Sequence, residues 1–178
     1  MFLDFLFQKK EGGLKTHTYP STHSLLSLRQ APAPGTHIGY SASLIAHLEA
    51  DHVKLAEIFT AIDQSFKKGH LSVVVTYLEE FRTEIQAHLL TENVRLYIYL
   101  EHALAHDANS HALIHEFRQE MNNIGKAILN FLSKYRELDR QPHLSTSFGD
   151  DLMAVGKMLI EHLQREESTL YPLYLPAY

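Results

Sequence analysis

From residue 41 to the C-terminus, apolar residues recur three and four apart, the spacing that gathers them on one face of a helix. Four such runs predict four helices. The first spans 41–67, with the stripe Leu44, Leu48, His52, Leu55, Phe59, Ile62 and Phe66. Ser41 or Ser43 can cap its start and Gly69 can end it. The second spans 71–105, through Val74, Leu78, Phe81, Ile85, His88, Glu92, Leu96 and Tyr99. The third spans 110–138, through Leu113, Phe117, Met121, Ile124, Ile128, Phe131 and Tyr135. The fourth spans 148–171, through Leu152, Val155, Leu159, His162, Glu166 and Leu170. No alternating, strand-like pattern competes. Four long helices joined by short loops predict an all-α, up-down-up-down antiparallel four-helix bundle.

Residues 1–38 break this pattern. Pro20, Pro32 and Pro34, with Gly12, Gly13 and Gly35, leave no helical or strand period. We read 1–38 as an extended, flexible leader able to contact a protein partner, and 39–178 as the bundle domain. The first seven residues are apolar, but Asp4 interrupts them and Lys9 and Lys10 follow rather than precede them, the reverse of a secretory signal. No run reaches the length of a membrane span. The expectation is a cytoplasmic protein with no membrane partner.

Composition narrows the chemistry. The 178 residues carry a net charge of −5, which gives no basic footprint for nucleic acid. There is no cysteine, which excludes disulfides, thiolate metal sites and cysteine nucleophiles. Histidine is abundant, at 13 residues, and its placement decides the reading.

His52, His88 and His162 occupy core positions on three different helices, and His88 and His162 are each followed four residues later by a core glutamate, Glu92 and Glu166. Residues i and i+4 share a helix face, so each pair aims two donors the same way. Counted from the intervening loops, the three histidines fall at one height in an antiparallel bundle. Two buried, unpartnered carboxylates would cost several kcal/mol each, against a total stability of about 5–15 kcal/mol. No lysine or arginine lies on the stripes at that height. A bound cation resolves the conflict, and imidazole with carboxylate suits iron, manganese or zinc. A lone core histidine, or one His-x-x-x-Glu pair, would be unremarkable as a polar core group or a surface pair. Two pairs on apolar stripes, followed by similar strings, argue for a metal site over a hydrogen-bonded polar network.

On the third helix, with Phe117 as the centre of the stripe and about 100° per residue, His115 falls on the opposite side and Glu120 about 60° from the centre. Geometry favours Glu120 as the ligand from this helix. His115 is the alternative if the helix begins after it. His47 shares a polar face with Asp51 and Lys54 and reads as solvent-exposed.

The strings Asp51-His52, His88-Leu-Leu-Thr-Glu92 and His162-Leu-Gln-Arg-Glu166-Glu167-Ser-Thr-Leu-Tyr-Pro172 resemble those of the hemerythrin-like, or HHE cation-binding, proteins. The resemblance covers about residues 40–175. It implies a non-haem di-iron centre, bridged by Glu92 and Glu166 and capped by His52, His88 and His162. The third helix departs from the family pattern, with Met121 where a histidine is usual. A thioether is a poor ligand for ferric iron. Either Glu120 substitutes, or one iron has an extra open position, or the site holds a single metal or another divalent ion.

The resemblance implies a metal-binding protein that takes oxygen, nitric oxide or a similar small ligand, or senses redox or iron status. The alternatives are iron storage, delivery or iron-centre repair, and a di-iron oxidase or peroxidase. The last ranks lower: ferritin-like sites use Glu-x-x-His pairs from two helices, and here only Glu49-Ala-Asp-His52 has that spacing. A zinc hydrolase ranks lower still, because no His-Glu-x-x-His motif occurs.

Overall fold

The computed structural model describes residues 32–33 and 35–176. The rest of the leader, including its apolar start, lies outside the described residues. The helices are α1 (Leu44–Lys67), α2 (Leu71–Thr91), α3 (Ile98–Ala103), α4 (Ala108–Lys134) and α5 (Ser145–Arg165). α2 runs into α3 through a π-helical turn at Glu92–Tyr97, so the two form one rod. α5 is extended by a second π turn, Glu166–Leu170, and a 3-10 turn, Tyr171–Leu173. The result is the expected antiparallel bundle of four rods, with α1 beside α2 and α5, and α4 beside α5 and α2. No described helix is long and apolar enough to cross a membrane.

The boundaries follow local chemistry. Ser43 occupies the N-cap position of α1 but makes no capping hydrogen bond; its hydroxyl lies 3.2 Å from that of Ser41. Gly69 closes α1 in the left-handed region, with φ of +73°, a conformation that costs glycine little. Asp107 caps α4, accepting from the Asn109 N–H at 3.1 Å and the Ser110 hydroxyl at 2.5 Å. α4 therefore begins well before His115.

The last part of the leader is folded. Ala33 is fully buried, and its N–H donates to the Ile38 carbonyl at 2.9 Å. Tyr40 stacks on Tyr174, and the Ser41 N–H donates to the Tyr174 hydroxyl at 2.9 Å. This turn packs with Tyr99 and Tyr171 at one end of the bundle.

Two apolar clusters fill the interior. One contains Leu55, Phe59, Phe81, Ile85, Phe131, Phe148 and Leu159. The other contains Leu44, Leu48, Leu96, Tyr97, Phe117 and Leu170. Along α1 the boundary falls between Leu48 and Leu55, where His52 stands. A polar layer thus separates two dry ones.

Candidate metal centre

Among the described residues, the buried polar or charged side chains are His52, His88, Glu92, His162 and Glu166. All five were expected from the stripes. His52, His88, Glu92 and Glu166 each offer one donor atom, and the four atoms lie within 4.8 Å of one another. His162 stands beside this group, its Nε2 2.9 Å from Glu166 Oε1. The His52 and His88 rings meet edge to face, 4.9 Å apart.

Each histidine has a carboxylate behind it. Glu167 Oε1 lies 2.8 Å from His52 Nδ1, Asp51 Oδ2 lies 3.5 Å from His88 Nδ1, and Glu120 Oε1 lies 3.3 Å from His162 Nδ1. A carboxylate at Nδ1 keeps the proton there and turns the Nε2 lone pair inward, the usual arrangement behind a metal-binding imidazole. Several inward atoms have no hydrogen-bond partner: His88 Nε2, His162 Nε2, Glu92 Oε2 and Glu166 Oε2. Buried polar atoms are rarely left so. Their convergence fits a cation.

Two tyrosines complete the layer. The Tyr171 hydroxyl donates to Glu92 Oε1 at 3.1 Å and lies 3.0 Å from His52 Nε2. The Tyr97 hydroxyl donates to Glu166 Oε1 at 3.2 Å. The bonds cross, each phenol reaching the glutamate of the other rod. The π turns make this possible. In an α-helix Tyr97 would sit about 140° round from Glu92; the wider i→i+5 turn brings it back toward the glutamate's face. Both π turns begin at the glutamate itself, and Leu96 with Tyr97, and Leu170 with Tyr171, are buried together.

The electrostatics reflect burial without a counter-charge. Burial, with the Glu166 carboxylate beside it, pushes the Glu92 carboxyl well above the ordinary range. Burial, with the neighbouring His52, holds His88 down to about 3, so its ring is neutral at physiological pH. For His162 burial opposes the charged form, but the Glu166 and Glu120 carboxylates outweigh it and raise the ring. Burial and the two glutamates raise both phenols, which stay protonated as donors. Imidazoles facing carboxylates form a donor set for a divalent or trivalent cation.

Glu120 is placed differently from the other expected ligands. It lies outside the four-residue group, its Oε1 behind His162 and its Oε2 bound to Arg165, which also reaches Glu116 at 3.0 Å. His115 is exposed on the outer face of α4. α4 turns Phe117 and Met121 inward, both buried, and Phe117 packs 6.2 Å from the His162 ring. Three rods supply the inward donors and the fourth an apolar wall. His47 is exposed, as expected.

Sequence reasoning gave no role to Tyr97, Tyr171, Asp51 or Glu167. Asp51 was assigned to a polar face; it is instead half-buried and reaches His88. A signal for the tyrosines does exist. His-x-x-x-Glu-x-x-x-Leu-Tyr occurs twice, at 88–97 and 162–171, and a tyrosine repeated at a position that α-helical spacing turns away suggests a turn of another pitch.

Comparison with curated proteins and with solved structures finds no match. A family model does match: that of the hemerythrin HHE cation-binding domain, over residues 43–174. That span holds all four rods, the five buried donors and the carboxylates behind them, and by it the chain belongs to the hemerythrin HHE cation-binding family.

Proposed function

We propose that this is a non-haem iron protein of hemerythrin type. His52, His88, Glu92, His162 and Glu166 would hold two iron ions. Its role would be to bind oxygen or nitric oxide, or to report redox or iron status. The observation that carries this is the polar layer itself: among the described residues the buried histidines and carboxylates are all candidate ligands, and Nε2 of His88 and His162 with Oε2 of Glu92 and Glu166 lack partners. Iron bound there supplies a reversible change of charge and an open position for a small ligand.

The chain's own groups define the rest. Asp51, Glu167 and Glu120 hold the imidazoles with Nε2 inward. We assign Glu120 to positioning His162, because both of its oxygens are engaged away from the centre. Phe117 and Met121 close the remaining side with buried apolar groups and offer no hard donor. A second reading, iron storage, delivery or repair, is favoured by that short ligand set and by a cleft of about 440 Å³ lined by Glu116, Glu120 and Glu161.

Elemental analysis of protein purified without a metal-binding tag tests the proposal. About two irons per chain, with a reversible spectral change on oxygen or nitric oxide, supports the first reading. Ready loss of iron to a weak chelator favours the second. No metal after anaerobic ferrous reconstitution refutes both.

A further inference from the structure

The two glutamates do not present their oxygens alike. Oε2 of each faces the His52–His88 side: Glu92 Oε2 is 3.6 Å from His88 Nε2, and Glu166 Oε2 is 3.8 Å from His52 Nε2. Neither Oε2 accepts a hydrogen bond. Oε1 of each is held by a phenol from the opposite rod, Glu92 by Tyr171 and Glu166 by Tyr97. Glu166 Oε1 is also the oxygen that faces His162 Nε2, at 2.9 Å. The donors therefore fall into two sets. One is free and converged: His52, His88 and the two Oε2 atoms. The other, His162 Nε2 with the two Oε1 atoms, carries both phenols.

Tyr171 also lies 3.0 Å from His52 Nε2, but it has one proton, which we assign to the Glu92 carboxylate as the charged acceptor. With Glu167 at its Nδ1, His52 keeps its Nε2 lone pair for an ion. A phenol bonded to a carboxylate oxygen competes with a cation for the same electron density, and bonds to charged acceptors are the stronger kind.

We propose that Tyr97 and Tyr171 are positioning residues that order the filling of the centre. This rests on the two-ion reading above. The first ion takes the free set. The second needs the Oε1 atoms and His162, and so must displace both phenols. Without the phenols each glutamate would offer two equivalent oxygens, and the gap that remained would reflect ligand number alone, two imidazoles in the first set against one in the second. The crossing couples the two steps, since each phenol is carried by the rod whose own glutamate the other phenol holds.

Titration of the metal-free full chain with Co²⁺, followed by calorimetry and chelator competition, tests the order. The expected result is two ions per chain, the second weaker by roughly a hundredfold or more, since it gives up two hydrogen bonds to charged groups, each worth about tenfold to a hundredfold. The Tyr97→Phe/Tyr171→Phe double variant should narrow that gap by about tenfold or more. His162→Ala should keep the first ion and lose the second, a readout that does not depend on the double variant folding. Equal affinities in the parent protein, an unchanged gap in the double variant, or loss of both ions in His162→Ala would overturn the proposal. No Co²⁺ bound to the parent chain would instead remove the two-ion reading beneath it.

Discussion

Tyr97 and Glu166 are 69 residues apart in the chain and 3.2 Å apart in space, joined by a buried hydrogen bond from phenol to carboxylate. With its mirror image, Tyr171 to Glu92, this bond ties the second rod to the fourth across the polar layer. Tyr97→Phe should therefore destabilise the metal-free protein by about 1–3 kcal/mol, because an acceptor stays buried after its donor is removed. Chemical denaturation of metal-free parent and variant measures this. Equal stabilities would mean that the bond does not hold the rods together.

Glu92 separates binding from stability. Its carboxyl is buried beside another carboxylate, which benefits metal binding and burdens the metal-free fold. Glu92→Leu should abolish two-metal binding, and in the metal-free protein relief of the carboxyl buried beside Glu166 opposes loss of the Tyr171 bond, so the melting temperature should stay near the parent's. In the parent, metal should raise the melting temperature, by about 2.7 kcal/mol of added stability at a hundredfold excess over Kd. Glu166→Ala should likewise lose two-metal binding, and His47→Ala should retain it. Full occupancy in Glu166→Ala would refute the ligand assignment.

Glu120 and His115 lie close in sequence and differ in prospect. Glu120 stands behind His162, where loss of an orienting carboxylate typically weakens metal binding by about 10–100-fold. Glu120→Ala should show that weakening with metal still bound at saturation. His115→Ala should leave affinity unchanged, because the ring is exposed. The opposite pattern in a metal titration would restore His115 as the contribution of α4.

The cap of α4 carries a pH signature. The Ser110 hydroxyl, then the Asn109 N–H, hold Asp107 below its ordinary value of 3.8. A depressed carboxylate contributes its stability above the unfolded value, and that contribution is lost as pH falls through the folded one. Asp107→Ala should lower the melting temperature at neutral pH, and the difference from the parent should vanish in strong acid. A difference that persists there would mean the side chain acts other than as a charged cap.

Much of this protein is written in single-helix periodicity. Apolar spacing alone places four helices, and the same spacing puts His52, His88, Glu92, His162 and Glu166 in the core, because the residues on one face of a helix are fixed by a constant rotation per residue. The hemerythrin-like pattern follows from those positions and the strings around them. What the sequence could not determine depends on where that rotation changes or on which rod faces which. The π turns at Glu92 and Glu166 shift the pitch locally, so Tyr97 and Tyr171 arrive at the centre from positions an α-helix would turn away. Glu120 has the right azimuth for a ligand, yet whether it meets an ion or stands behind His162 depends on the neighbouring rod and on Arg165, 45 residues on. Asp51 looks like a surface acid on its own helix and becomes the partner of His88 only when α2 packs beside it. Local spacing determined which side chains are buried; packing between the rods decided which atoms of those side chains face one another.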